Sequence, residues 1–297
     1  MPLEKSQLST SRKSLYFMTN IFMSGMIGAM RLLPYTWRIP AMGWLSATVA
    51  PWVGFSRRVR ENLHLVRPDL SEAEVKKLCK SVPDNAGRSM MEHFSPAEFQ
   101  KRTRNAPITG PGLQALEDAR AAGKPVLIVT GHFGNYAAAR SALQSRGHVI
   151  GALYRRMANP FFNDHYVRCF AELGEPNFAQ GRRGMTELVR FLRSGNTVAI
   201  VSDLHALDGV DLDFFGKPAQ TSLKNAQMAL KYGAVLIPVY AVRQPDGLSF
   251  TVEMHAPIAH SDARTMTQEI NDGLEDLVRR HMDQWFWIHR RWKAATG

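Results

Sequence analysis

At 297 residues, 45% of them apolar, the chain has material for one large α/β domain, or one domain plus an appendage, around a sizeable core. Its formal net charge of +11 points to nucleic acid, anionic lipid or a phosphorylated substrate, yet there is no zinc finger, basic zipper or RNA-binding aromatic signature, which argues against a nucleic-acid partner. Two cysteines, Cys79 and Cys169, make neither a disulfide framework nor a metal-ligand spacing, and a reducing compartment is the default.

The first 62 residues hold eight Lys/Arg against Glu4 and Glu61, and so carry six of the eleven net charges. Residues 14–30 are uncharged but contain Thr19, Asn20, Ser24, Gly25 and Gly28. Seventeen such residues sit at the lower limit for crossing hydrocarbon, so the stretch is read as an in-plane or shallowly inserted helix rather than a span. No small-residue cleavage site follows it, which argues against a signal peptide. A second uncharged stretch, residues 39–56, is interrupted by Pro40 and Pro51 and suggests a broken interfacial hairpin. All six tryptophans lie near the ends: Trp37, Trp44 and Trp52, then Trp285, Trp287 and Trp292. Indoles beside Lys/Arg are the composition of an interfacial membrane anchor. Packing of the two termini into one core explains them equally well, and both can hold.

Ser71 with Glu72 and Glu74 starts a helical region over 71–104 that Pro83 breaks or restarts. A Gly-Pro loop at 110–112 precedes a short helix, 113–122. Strand and helix signals then alternate: strand 125–130, helix 135–146, strand 148–154, helix 160–173, helix 183–194, strand 197–202, helix 221–232, strand 234–242, strand 249–255 and helix 264–282. Strands alternating with helices argue an α/β fold, a mainly parallel sheet with crossover helices, whose ligands bind at the carboxyl ends of the strands. The organisation expected is a basic, Trp-bearing membrane-anchoring segment, 1–62, followed by a catalytic domain, 63–297.

His132, just past strand 125–130, is placed to act as a general base, taking a proton from a hydroxyl that attacks an activated acyl carbonyl. Gly131 and Gly134 permit close backbone approach. Gly134 and Asn135 are candidates for an oxyanion site, and Asn135 can also cap the following helix. A base of this kind usually has a carboxylate to orient it, and Ala137 occupies the position where one would be useful. The next acid along the chain is Asp164. Arg155, Arg156, Arg168, Arg182 and Arg183 form a second group suited to a phosphate or carboxylate, with a solvated face as the plainer reading of any single one. Asp203 and His205 follow strand 197–202, Asp203 either orienting a basic group or capping its loop. Phe214 and Phe215 either wall an acyl groove or belong to the core, and Thr221 is read as the cap of the next helix, which carries Lys224. No Gly-x-Ser-x-Gly elbow is present, which disfavours a serine hydrolase.

Taken together, Arg60-Glu61-Asn62-Leu63, Asn85-Ala86-Gly87-Arg88, Gly131-His132-Phe133-Gly134-Asn135, Tyr154-Arg155 with Asn159-Pro160, Asp203, Phe214 to Ala219 and Trp285 to Lys293 resemble the late lipid A acyltransferase family, over residues 55–293. The resemblance implies a glycerolipid-acyltransferase-like fold at the cytoplasmic face of a bacterial inner membrane. It implies acyl transfer from a carrier-protein or coenzyme A thioester to a hydroxyl of a lipid A precursor or another lysolipid, such as a lyso-aminolipid, with no metal or redox cofactor. It leaves the oligomeric state open. His132 matches the family's base, Arg168 a substrate-contacting arginine and Asp203 the acid of the strand-end loop. The departure is Ala137: the family pattern is His, four residues, then Glu or Asp. Triad-type enzymes lose about 10⁴ in turnover when the orienting carboxylate is neutralised, so the chain is expected to be nearly inactive. It would be either an Asp/Glu→Ala variant of a working enzyme, the preferred explanation because the rest of the site is intact, or a natural pseudoenzyme that binds lipid without turnover.

Overall fold

The computed structural model describes residues 8–293. Five helices come first: α1 (Thr10–Arg31), α2 (Tyr35–Val49), α3 (Phe55–Val66), α4 (Glu72–His93) and α5 (Pro96–Thr103). The α/β body follows: β1 (Ile108–Thr109), α6 (Gly112–Ala121), β2 (Val126–Thr130), α7 (Tyr136–Gln144), β3 (Ile150–Tyr154), α8 (Pro160–Glu172), β4 (Asn177–Ala179), α9 (Arg182–Arg193) and β5 (Thr197–Val201). A hairpin, β6 (Val210–Phe214) and β7 (Lys217–Thr221), leads to α10 (Lys224–Tyr232), β8 (Val235–Arg243), β9 (Phe250–Met254) and α11 (Ala263–Arg280). The main sheet runs β1-β9-β8-β2-β5-β3-β4, parallel throughout except that β8 and β9 are antiparallel. This is the α/β architecture expected from the alternation of strand and helix signals.

Strand period two divides the core. Val126 and Ile128 of β2 face one layer with α7 and α8, while Leu127 and Val129 face the other with α9, α10 and α11. Because β2 is covered on both faces, all five of its residues are buried, the mark of a central parallel strand. A third cluster joins α3, α4, α11, the hairpin and the C-terminal segment.

Two expectations about breaks and one about a cap are corrected. Pro83 lies inside an unbroken α4, whose start is a full capping box between Ser71 and Glu74. Pro40 lies inside an unbroken α2. In each case one backbone hydrogen bond is lost, but packing of α2 on α4 retains the helix. Gly43 and Gly87 allow that packing: a Cβ on Gly43 would meet Asp84 Oδ1 at 2.6 Å, and one on Gly87 would meet Ser46 Oγ at 2.2 Å. Thr221 ends β7 rather than capping α10, its hydroxyl turned to Ala219 O.

The expected boundary at 62/63 falls within α3, whose Val59 and Leu63 are core residues. Helices α2 and α3 are therefore built into the same body as the sheet. The six tryptophans divide: Trp285, Trp287 and Trp292 are 1%, 0% and 2% exposed, while Trp37, Trp44 and Trp52 are 66%, 67% and 82% exposed. No described helix is long and apolar enough to cross a membrane.

Candidate active site

The sheet register creates the site. Thr130 of β2 pairs with Val201 of β5 at the carboxyl edge, so the residues two positions beyond each, His132 and Asp203, emerge side by side. Asp203 Oδ1 lies 2.8 Å from His132 Nδ1. Its second oxygen accepts the His132 backbone N–H at 2.7 Å and the Trp285 indole N–H at 2.8 Å. The carboxylate is buried, while the histidine side chain keeps 33% of its surface open. Gly131 admits the contact, since a Cβ there would stand 3.0 Å from Asp203 Oδ2.

The electrostatics follow from this contact. Burial alone would lower the His132 pKa, but the charge and hydrogen bond of Asp203 outweigh it and hold the imidazole above its ordinary value. Burial raises the Asp203 pKa. The His132 charge, together with three hydrogen bonds from His132 and Trp285, brings it below the ordinary carboxylate value. The pair therefore favours a carboxylate holding Nδ1–H, which leaves Nε2 as the basic nitrogen.

The loop after His132 is clamped from several sides. The C-terminal segment crosses it, Phe286 N–H donating to His132 O at 3.0 Å and Gly134 N–H to Gln284 O at 2.9 Å. Ser89 Oγ donates to Gly134 O at 2.8 Å. Asn135 accepts from Ala137 N at 3.1 Å, capping α7 as expected, and donates to Glu92 Oε2 at 2.8 Å. Glu92 is wholly buried and forked to Arg243, which also donates to Asn85 Oδ1 at 2.8 Å. The oxyanion expectation is thereby corrected in part. The Gly134 amide and the Asn135 side chain are committed to protein partners, as are the Ala137 and Ala138 amides, which donate to Asn135 Oδ1 and Asn135 O; the backbone amides of Asn135 and Tyr136 are left as the donors without a partner among the described residues. A cleft of about 150 Å³ lies against His132, with Ser89, Tyr136 and Phe286 among its walls.

The other expected residues fare unevenly. Arg155 and Arg156 are exposed just past β3, at the same sheet edge as His132. Arg182 and Arg183 are exposed at the start of α9 near that edge, and Arg183 is paired to Glu187 at 2.9 Å. Arg168 is exposed more than two turns along α8, on the return path from that edge. Its charge and that of Arg31 both depress His165, after burial. His205 meets the C-terminal segment through its backbone, whose N–H donates to His289 Nε2 at 3.0 Å. Phe214 and Phe215 are core residues, stacked and edge-on against Trp285, Trp287 and Trp292, so the groove expected of them is not there. Instead, a narrow apolar cavity of about 40 Å³ lies between α7, α8 and the sheet, with Thr130, Tyr136, Ala137, Arg140, Ile150 and Val201 among its walls.

Sequence reasoning did not find Trp285 and Glu92 as parts of the site, nor the joining of Asp203 to His132. They lie 82, 43 and 71 positions from their partners. For Asp203 a signal existed: both residues follow strands, and adjacent strands bring their ends together.

The model of the bacterial lipid A biosynthesis acyltransferases matches residues 4–294. This chain belongs to that family. The acyltransferase is 27% identical to the Escherichia coli lipid A biosynthesis lauroyltransferase, over 80% of its own length and 78% of the relative's. It is 24% identical to Shigella flexneri lipid A biosynthesis acyltransferase 2, over 93% and 90%. It is also 25% identical to a Mycobacterium tuberculosis phosphatidylinositol mannoside acyltransferase, over 73% and 70%. A crystal structure of the 1-acyl-sn-glycerophosphate acyltransferase PlsC from Thermotoga maritima aligns with 83% of this acyltransferase and 96% of that chain, at 13% identity and a TM-score of 0.36. The relatives act on lipids of different kinds, and the function they share with this acyltransferase is lipid acylation.

Proposed function

We propose that this lipid acyltransferase is catalytically competent and moves a fatty acyl group from a thioester of acyl-carrier protein or coenzyme A to a lipid hydroxyl, with His132 as base and Asp203 as its orienting carboxylate. The single observation that carries the proposal is the 2.8 Å contact between Asp203 and His132 Nδ1. Competence is proposed here against the near-inactivity that Ala137 suggests, and what supports it is a carboxylate beside the imidazole that comes from the end of the neighbouring strand.

In the proposed reaction His132 Nε2 removes the proton of the acceptor hydroxyl as its oxygen attacks the thioester carbonyl. Asp203 stabilises the imidazolium that forms. The tetrahedral intermediate's oxyanion is met by the backbone amides of Asn135 and Tyr136 at the N-terminus of α7, where the helix dipole also favours negative charge. The attack forms the new C–O bond; collapse restores the carbonyl double bond, breaks the C–S bond, and passes the proton from His132 to the departing thiolate. Arg155 and Arg156 are the arginines best placed to meet an anionic headgroup, with Arg182, Arg183 and Arg168 farther around the basic surface. The acceptor is a lipid A precursor or another lysolipid.

The exposed face of α1 and α2, with Phe22 at 70%, Trp37 at 66% and Trp44 at 67% exposed, supports docking on the cytoplasmic leaflet of a bacterial inner membrane. The departure at position 137 favours a second reading, a non-catalytic lipid-binding protein. Purified protein given radiolabelled acyl thioesters and a lysolipid panel separates the two. Transfer that His132→Ala abolishes, on either donor, supports the base. The absence of transfer by the unaltered chain from both donors to every acceptor would leave the binding reading.

A further inference from the structure

A carboxylate at position 137 would have no unoccupied place on this imidazole. Asp203 holds Nδ1 at 2.8 Å, and Nε2 has to remain open to the acceptor hydroxyl. A second acid reaching the ring would compete with substrate for that nitrogen. The Ala137 methyl instead lines the apolar cavity beside α7 and packs against the main core cluster.

The direction of the cavity follows from the strands that line it. At one end lie Thr130 and Val201, the paired residues at the carboxyl edge; at the other lies Ile150, level with Thr197. That is four residues of strand, or about 13 Å at roughly 3.3 Å per residue. Tyr136 borders both this cavity and the cleft at His132. Ala137 thus stands where a chain would pass from the reacting carbon into the slot.

Thr130 Oγ1 adds an independent mark. It is buried, faces this cavity and has no hydrogen-bond partner. A buried hydroxyl left without a partner is destabilising, and the carbonyl oxygen at the head of a bound acyl group would accept its proton. At the far end, Arg140 spends its donors on the carbonyls of Ile150 and Pro176 and on Asn177 Oδ1, so it closes the slot and does not offer it a charge to pair.

We propose that position 137 is a selectivity wall for the acyl chain and no longer a member of the catalytic relay. Its methyl keeps the entrance apolar and open to an unbranched fatty chain. With only about 40 Å³ available, a few added atoms on this wall change what fits. A carboxylate there would also have to lose its water, which disfavours the charged form. The proposal rests on the transferase reading above and refines which group is transferred.

The test compares the unaltered chain with Ala137→Asp, Ala137→Asn and Ala137→Leu on short, medium and long saturated acyl thioesters. The expected result is a loss of tenfold or more in kcat/KM on the longer donors, with the shortest least affected, and the same ordering for Asn and Leu as for Asp. The acid limb of the pH profile, set by His132, should stay in place for Asn and Leu. A tenfold or larger gain with Ala137→Asp on every donor, with unchanged chain preference, would restore the relay reading and overturn the proposal. A second measurement does not need turnover: displacement of a fluorescent fatty acid should weaken at least tenfold in Ala137→Leu, with the melting temperature kept. Equal affinity would overturn the slot even if transfer persists. Absence of transfer by the unaltered chain with normal fatty-acid binding would instead count against the base reading alone.

Discussion

At the scale of single residues, the site depends on how Asp203 divides its two oxygens. One fixes the imidazole tautomer; the other ties the His132 backbone and the Trp285 indole. Asp203→Asn retains the shape but removes the charge and lets the wrong tautomer form. By comparison with triads in which this substitution costs about 10⁴ in turnover, kcat should fall by about three to four orders of magnitude. The pH profile carries a second signature. His132 must be neutral to accept a proton, and its pKa lies above the ordinary 6.5 because Asp203 overcomes the effect of burial. The acid limb of kcat/KM should therefore lie above that value in the unaltered enzyme. In Asp203→Asn, burial is left as the main influence, so the limb should move to lower pH on top of the loss in rate. A limb that stays in place would mean that another group sets it.

Between elements, the polar network behind the loop connects α4, β8, α7 and the C-terminal segment. Glu92 of α4 reaches Asn135 at the start of α7 and Arg243 at the end of β8. Both charges are buried, so Glu92→Ala leaves the Arg243 charge uncompensated. Breaking a buried pair in this way typically costs about 3–5 kcal/mol, which should show as a lowered urea midpoint with an unchanged slope. Unaltered stability would mean that Arg243 finds other partners. The network also marks what the sequence could reveal. The five longer strands of the main sheet, the crossover helices and the position of His132 were legible because hydrophobic periodicity is local, whereas the two- and three-residue strands β1 and β4 are too short to show a period; Asn135 was legible as a cap because its bond spans two residues. Pairings that depend on strand order were not. The β6–β7 hairpin was hidden for another reason: its turn places Phe215 at φ +59 beside Gly216 at φ +70, and an aromatic residue is an unusual occupant of the left-handed region. The buried C-terminal tryptophans were ambiguous because indole suits both a core and an interface.

For the molecule as a whole, the same ambiguity becomes a division of labour between the two ends of the chain. The C-terminal indoles close the aromatic cluster behind Asp203, while the N-terminal ones stand in solvent with Leu15, Met18, Phe22 and Leu32. Basic residues accompany them, Arg12, Lys13, Arg31, Arg57 and Arg58 among them. Deleting residues 1–62 would not isolate this face, because it removes Ile39, Met42 and Val59 from the core and Arg38 from its pair with Glu98. Replacing Trp37, Trp44 and Trp52 together with serine alters exposed surface alone and should leave the melting temperature unchanged. Full burial of a large apolar side chain is worth roughly 1.5–3 kcal/mol, and shallow insertion of an indole less, so the triple variant should float with anionic vesicles at least about tenfold more weakly. If the basic residues contribute, raised salt should weaken binding of both proteins to anionic vesicles, since exposed charges are screened within about 10 Å at 0.1 M, while binding to neutral vesicles should respond little. Equal flotation of the triple variant and the unaltered chain at both salt levels would show that the enzyme meets its lipid substrate through another face.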